Sequence, residues 1–426
     1  MIKKFNSKVT PFGGIHLIHK QLISKGTIQF IDNELGNRVS NNGYNYSDLF
    51  LGRIYTAFCG GNATEDINYL KADTLKALRG ISIPSADTIL RGDVGLSVPC
   101  NYIETGSGKE NKVNINSKMN EFLIRSAIKY GQLDPENKEL VYDFDHQFIP
   151  AEKYDAEYSY KNSKGYFPAV ATISNIPVYV EGRNGNCNVK TEQLATHKRI
   201  LSALEKEKVK PKFARMDSGS YIKEVTDHFH GEGICFFIRA NNPENLLTQA
   251  ADAENWMPCT INNQDMEVAS FAYQFGDYKH RIIAYRVPNK TGQVSAFTRD
   301  AKNYLFIITN DWKITEKDAI KFYNKRGDSE RVFDIQNNDF NWNSMPHSFL
   351  EENTVYLIIM AFAHIIYKWL LNIFSKVVDG LTNTSRLKKF IFRLITIAAK
   401  ITRSGRQQII HFATKNEMLL KLANTT

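Results

Sequence analysis

The succession of strand and helix patterns between residues 140 and 239 constrains the fold of this chain more than any other feature. Seven segments with clear periodicity follow one another: strands at 140–145, 166–174 and 176–181, a helix at 191–207, a strand at 213–217, a helix at 221–230 and a strand at 234–239. Strands joined by a short turn pair antiparallel, whereas strands joined through a helix pair parallel. The order therefore predicts one α/β sheet with antiparallel strands at one edge and parallel strands beyond them.

This order is that of a ribonuclease-H-like α/β sheet. Residues 241–302 interrupt it with polar linkers and two alternating strand candidates, and the apolar run YLFIIT then restores a core strand. We therefore predict a ribonuclease-H-like α/β catalytic core at 136–345 with a β-rich insertion at 241–302. Helical regions at 1–135 and 346–426 are expected to flank it, the first as a DNA-binding region and the second as a basic one.

The sequence patterns of the two flanking regions allow more than one interpretation. Short helices with lysines at the N-terminus suit a helix-turn-helix module and a plain helical cap equally well. The apolar segment 354–374 approaches the length of a membrane span. However, His364, Lys368 and Asn372 recur at every fourth position and form a polar stripe. This pattern favours a helix buried inside a large protein, so we expect no membrane partner.

The charge and the cysteines restrict the partners and the compartment. The net charge of +9 favours a polyanionic partner, and it is concentrated at the two ends of the chain. Residues 1–30 contain five lysines and no acidic residue, and 376–406 contain eight cations and one aspartate. The five cysteines include no CxxC pair, which argues for reduced thiols and against a structural zinc site. With no apolar leader segment at the N-terminus, the chain is predicted to be cytoplasmic.

Candidate catalytic carboxylates lie where such a sheet presents a site. Asp143 and Asp145 are two residues apart on the first strand and so point to the same face. Asp217 ends the fourth strand, and open α/β sheets bind ligands outside the carboxyl ends of their strands. Oxygen ligands suit Mg²⁺ or Mn²⁺, and a pair of such ions supports phosphoryl transfer. Each carboxylate taken alone is explained equally well as a helix cap or a solvated side chain.

A further carboxylate, Glu330, lies in a segment predicted to be one helix from 316 to about 337. On helical geometry Tyr323, Arg326 and Glu330 share one face. A tyrosine, a guanidinium and a carboxylate on one face suit a site that binds phosphate and metal. A solvated helix face with a chance ion pair accounts for the same residues.

The chain resembles the DDE transposases of bacterial insertion sequences, in the branch with a Y-x2-R-x3-E-x6-K signature. Tyr323, Arg326 and Glu330 match the first three positions, and Asn337 stands where the signature has lysine. Similar segments extend along the chain: FCGGNATEDINYL, PSADTILR, VYDFDHQ, KYDAEYSYKNSKGYFPAVATI, EGRNGNCNVK, RMDSGSY and SRLKKFIFRLITIAAKITRSGR.

The resemblance implies the following roles for residues of this chain. Asp145, Asp217 and Glu330 would be the catalytic metal ligands for two Mg²⁺ or Mn²⁺ ions, with Asp143 as the alternative first ligand. Tyr323 and Arg326 would contact DNA phosphates. The exposed cations expected to face DNA in the C-terminal region are Lys388, Lys389 and Arg393.

The activity implied is cleavage at the ends of an insertion sequence and joining of the 3′-hydroxyl ends to target DNA. The partners implied are the terminal inverted repeats, the target duplex and a second copy of the chain, in a bacterial, nucleoid-associated setting. Two alternatives remain open: a ribonuclease-H-like nuclease without strand transfer, and a non-catalytic DNA-binding protein derived from a transposase.

Overall fold

The computed structural model describes residues 9–38, 43–104, 108, 110–241, 244–295, 297–405 and 407–425. The N-terminal region is mainly helical, and one of its longest helices is Tyr46–Phe58. The carboxylate of Asp48 accepts the backbone N–H of Asn45 at 3.0 Å and caps this helix. The elements of the region are β1 (Val9–Thr10), α1 (Gly14–Ser24), α2 (Thr27–Leu35), α3 (Tyr46–Phe58), α4 (Ile67–Lys71), α5 (Ala86–Leu96), β2 (Asn101–Glu104), β3 (Glu110–Asn114) and α6 (Ser117–Lys129).

The central region contains the predicted succession with one difference. The strand expected at 166–174 is divided in two, because Pro168 lacks the N–H that a continuous ladder needs. The elements are β4 (Val141–His146), β5 (Ile149–Pro150), β6 (Glu157–Tyr158), β7 (Lys164–Tyr166), β8 (Ala169–Ile173), β9 (Ile176–Arg183), α7 (Gln193–Lys206), β10 (Phe213–Met216), α8 (Lys223–Gly231) and β11 (Cys235–Ala240).

The remainder of the chain comprises the insertion, the helices that follow it and a C-terminal hairpin. Its elements are α9 (Glu244–Ala251), β12 (Met257–Ile261), β13 (Gln264–Phe275), β14 (Tyr278–Pro288), β15 (Lys302–Thr309), α10 (Glu316–Asn324), α11 (Asp328–Asn338), α12 (Leu350–Phe374), α13 (Leu387–Phe390), β16 (Ala399–Ser404), β17 (Gln407–Phe412) and α14 (Glu417–Thr425). The prediction that the chain is helical from 346 to its end is wrong, because β16 and β17 form a hairpin that pairs with β1.

One sheet of eleven strands organises the molecule, in the order β12-β13-β14-β15-β11-β10-β4-β8-β9-β3-β2. β4 pairs parallel with β10, and β10 pairs parallel with β11. On the other side β4, β8 and β9 pair antiparallel, so antiparallel strands adjoin a parallel centre as predicted. The strands of the insertion extend the same sheet beyond β15. β3 pairs with β9, so the N-terminal region adds two strands to this sheet and is not purely helical.

Helix α12 packs across the antiparallel side of the sheet. Its length and composition alone would allow it to cross a membrane, but 78% of its most apolar window is buried inside the protein. A Cβ added at Gly182 would lie 2.0 Å from Oγ1 of Thr354, so the glycine of β9 permits close contact with the helix. In the polar stripe, Nε2 of Gln336 donates to Nδ1 of His364 at 2.8 Å. Burial lowers the pKa of His364 to about 3, so this acceptor is neutral.

Candidate active site

Asp145 and Asp217 lie side by side at the carboxyl ends of two neighbouring parallel strands. The register of β4 and β10 pairs Asp143 with Arg215 and Phe144 with Met216. Continued by one residue, it sets Asp217 next to Asp145 on the same face of the sheet. Asp217 ends its strand and accepts the N–H of Gly219 at 2.9 Å.

The two carboxylates interact electrostatically. Burial and, to a smaller extent, the negative charge of Asp217 raise the pKa of Asp145 to about 6. Burial also raises the pKa of Asp217. Arg326 opposes both shifts, because its positive charge favours the ionised forms. This pair of half-buried acids with like charges is a suitable site for a cation.

Arg326 contacts the pair directly. Its Nη1 donates to Oδ2 of Asp145 at 2.8 Å, and the two side chains are 18% and 19% exposed. Its guanidinium carbon lies 5.9 Å from the ring of Tyr323, which is buried. Nε of Arg326 is buried and has no hydrogen-bond partner. The guanidinium thus offsets part of the negative charge of the acidic pair and keeps one N–H donor, Nε, without a partner.

Asp143, the alternative first ligand, has a structural role. Nε and Nη2 of Arg215 donate to its two oxygens, both at 2.7 Å, in a buried ion pair. Nη1 of Arg215 donates to the backbone oxygen of Phe322 at 3.1 Å, which links the pair to α10. Because both oxygens of Asp143 bind Arg215, the structure favours Asp145 as the first ligand.

Breaking this buried pair is expected to destabilise the protein strongly. Asp143→Asn leaves the charge of Arg215 buried without compensation, and such losses cost about 3–5 kcal/mol. Urea unfolding measures the change in the free energy of unfolding. The matched control is Lys212→Ala, which breaks an ion pair between Lys212 and Glu139. These two side chains are 50% and 64% exposed, and exposed ion pairs contribute about 1 kcal/mol or less to stability. Equal effects of the two variants would contradict the structural role of Asp143.

Glu330 does not join the aspartates. The helix predicted from 316 to 337 is divided into α10 and α11 by a 3₁₀ turn at Lys325–Gly327. Glu330 is exposed. Among the described residues, no three His, Cys, Asp or Glu side chains are close enough to hold a metal ion. Glu330 therefore does not group with Asp145 and Asp217 in this structure, and its place on the face of Tyr323 and Arg326 stays a prediction.

The structure adds Arg239, which sequence reasoning missed. It lies near the end of β11, where the register with β10 places it beside Asp217. Nη1 of Arg239 donates to the hydroxyl of Tyr285, on β14, at 2.7 Å. Arg239 and Arg326 both oppose the rise in the pKa of Tyr323 that burial causes. The sequence offered one signal for Arg239: it is a single cation near the carboxyl end of an otherwise apolar strand.

The three C-terminal cations singled out from the sequence, Lys388, Lys389 and Arg393, are all exposed. They alternate with the buried Phe390 and Leu394, as expected for a segment that packs on one side. Asn337 is half-buried, and its buried Oδ1 has no hydrogen-bond partner. The N-terminal lysines at positions 3, 4 and 8 and the arginine at 406 lie outside the described residues.

Comparison with known proteins supports the coarser part of the resemblance, a DDE transposase. Residues 9–423 match the family model described as Transposase DDE domain group 1. Among solved structures, the chain is similar to the cryo-EM structure of a piggyBac transposase synaptic complex with hairpin DNA. The identity is 13% and the TM-score 0.42, over 90% of this chain and 78% of that one. No curated protein matches the sequence.

Proposed function

Since the chain belongs to the DDE transposase family, we propose that it cleaves the DNA ends of its own insertion sequence and joins the 3′-hydroxyl ends to target DNA. The observation that carries the proposal is the pair of Asp145 and Asp217 at the carboxyl ends of adjacent parallel strands. A structural acid has no need of a second acid beside it, whereas phosphoryl transfer by bound cations requires such a pair.

The strand order supports a ribonuclease-H-like core. β9, β8, β4, β10 and β11 are consecutive in the sheet, and only the pairs of β10 with β4 and with β11 are parallel. The insertion lengthens this sheet beyond β15. It also ties to the first residue of α10, because Nη2 of Arg281 forms an ion pair with Glu316 at 2.5 Å. We propose that the insertion holds α10 against the site.

Divalent cations, Mg²⁺ or Mn²⁺, are the proposed cofactors, and the donor set fits them in part. Carboxylate oxygens are the ligands these hard cations prefer, and Asp145 and Asp217 are close enough for their charges to interact. When bound, such cations activate an attacking oxygen and stabilise the leaving oxygen. Glu330 is proposed as the third ligand on the resemblance alone, and it must move to reach the pair.

Arginine and tyrosine side chains beside the acids are proposed to bind the DNA backbone. Arg326 would clamp the phosphate next to the cleaved bond, since a guanidinium binds phosphate in a bidentate manner. Tyr323 holds the guanidinium from one side. Arg239, oriented by Tyr285, adds a second cation on the side of Asp217. The exposed cations Lys388, Lys389 and Arg393 would contact phosphates farther along the duplex, in a homodimer that joins two element ends.

A cleavage and joining assay tests the function. The substrate is a labelled duplex that carries the terminal inverted repeat found beside the gene, incubated with the purified chain, Mg²⁺ and a target plasmid. Nicked ends followed by joined products are expected, and EDTA should abolish both. Nicking without joining would support the alternative of a nuclease, and binding without nicking would support a non-catalytic DNA-binding protein.

A further inference from the structure

Residues 157–166, which we call the tyrosine hairpin, expose aromatic side chains next to the candidate site. The hairpin consists of β6, a turn and β7, and it lies in the excursion between β4 and β8. Tyr158 and Tyr160 are 63% and 73% exposed. Large aromatic side chains on a surface indicate a contact with another molecule when they cluster. Nothing in the proposed cleavage mechanism uses them.

The turn holds these rings in a defined position. The N–H of Ser159 donates to the oxygen of Ser163 at 2.9 Å, and the N–H of Asn162 donates to the oxygen of Ser159 at 3.0 Å. Asn162 has a φ of 55°, in the left-handed region that asparagine tolerates. The ring of Tyr160 also packs edge-on against Phe167, with centroids 6.1 Å apart. The exposed rings therefore belong to an ordered turn.

The hairpin belongs to the excursion that leaves the sheet at the carboxyl end of β4, the strand end that carries Asp145. The ring of Phe167, which contacts Tyr160, lies 5.3 Å from that of His146, the residue after Asp145. Two ring contacts thus connect Tyr160 to the strand end that carries Asp145. A DNA strand whose phosphate lies at the aspartates would pass within a few nucleotides of the hairpin.

Lysines flank the rings on the hairpin. Nζ of Lys164 lies 5.7 Å from the centroid of Tyr158, and Nζ of Lys161 lies 5.7 Å from that of Tyr160. A cation over one face of a ring leaves the other face available for a base. Glu152 and Glu157 are exposed nearby, so the net charge of the patch is small. The small net charge makes this patch a weak site for a duplex, which is bound mainly through its phosphates, whereas stacking on bases needs little charge.

We propose that the tyrosine hairpin binds unpaired bases of the DNA strand next to the cleavage point, by stacking on Tyr158 and Tyr160, with Lys161 and Lys164 contacting the adjoining phosphates. The inference rests on the proposed function for the position of the DNA. The binding itself requires neither metal nor cleavage. The hairpin would thus stabilise melted DNA beside the acidic pair.

Fluorescence anisotropy in EDTA tests the proposal with the full chain. The probes are a labelled oligothymidine of about 20 nucleotides and a labelled duplex of the same length. The double variant Tyr158→Ala/Tyr160→Ala is expected to lose about tenfold or more in affinity for oligothymidine. Its affinity for the duplex should stay within about twofold, because duplex binding depends on cations elsewhere.

Two controls separate stacking from other causes. The double variant Tyr158→Phe/Tyr160→Phe keeps the rings and should bind oligothymidine like the wild type. Tyr102→Ala removes a ring of similar exposure (61%) on β2, four strands away from β4, and should have no effect. Thermal unfolding confirms that each variant is folded.

Three results would overturn the proposal: unchanged affinity of the alanine double variant for oligothymidine, an equal loss for duplex and oligothymidine, or an equal loss in the phenylalanine variant. If the alanine variant instead loses self-association in light scattering and keeps its affinity for oligothymidine, the patch is a contact between protein copies. Failure of the cleavage assay leaves this binding test intact, since Asp145→Asn should bind oligothymidine normally.

Discussion

Asp145→Asn and Asp217→Asn are each expected to reduce DNA cleavage by about 10³-fold or more, since the two carboxylates act as one unit. The substitution keeps the size of the side chain and removes the charge that binds a cation. The double variant should be no worse than either single one, because removing one member already disables the pair. Initial rates of nicking on the labelled element end measure the effect.

The control for this experiment is Asp265→Asn, the same chemical change at an exposed position near the start of β13. It should cleave DNA at the wild-type rate. DNA binding in EDTA should be retained by all variants, which separates loss of chemistry from loss of substrate. If either Asp145→Asn or Asp217→Asn nicks DNA within about tenfold of the wild type, the proposed pair is not the catalytic site.

Arg326→Ala is expected to bind Mn²⁺ more tightly than the wild type and to cleave DNA poorly. In this structure the guanidinium donates to Asp145 at 2.8 Å, so it must leave before that oxygen can bind a cation. Hydrogen bonds between charged groups contribute about 1.5–3 kcal/mol, so removing this competitor should raise the affinity by about tenfold or more. Cleavage should fall because the phosphate loses its clamp.

Titration calorimetry with Mn²⁺, in the absence of DNA, measures the affinity independently of activity. The variant without metal should also be less stable, because Asp145 and Asp217 then repel each other without the charge of Arg326 to offset the repulsion. The matched control is Lys325→Ala, an exposed neighbour in the same 3₁₀ turn. Weaker Mn²⁺ binding by Arg326→Ala would mean that the arginine orients Asp145 for the metal and does not compete with it.

The position of the two aspartates could be predicted because it depends on local patterns. Strand periodicity puts Asp143 and Asp145 on one face, and the succession of strands and helices makes β4 and β10 parallel neighbours. The choice between Asp143 and Asp145 could not be made from the sequence. It depends on Arg215, whose guanidinium reaches Asp143 only because the register aligns the two residues across the strands.

Two other features could not be predicted from sequence patterns: the break between α10 and α11, and the C-terminal hairpin of β16 and β17. Residues 316–338 have helical periodicity throughout, and a glycine in the middle of a helix is tolerated at modest cost. The turn at Lys325–Gly327 depends on tertiary contacts, such as that of Arg326 with Asp145. Similarly, β16 is a strand because β1 and β17 pair with it on both sides.

The sequence by itself determined the order of strands and helices, the central parallel pair of strands and the two aspartates at their ends. These features follow from periodicity and chain connectivity, which act over a few residues at a time. Tertiary structure alone decided that Arg215 binds Asp143, that Arg326 neutralises Asp145, and that Glu330 lies away from the pair. The first two depend on side-chain contacts between residues 72 and 181 positions apart, and their geometry arises only when the sheet and α10 pack together.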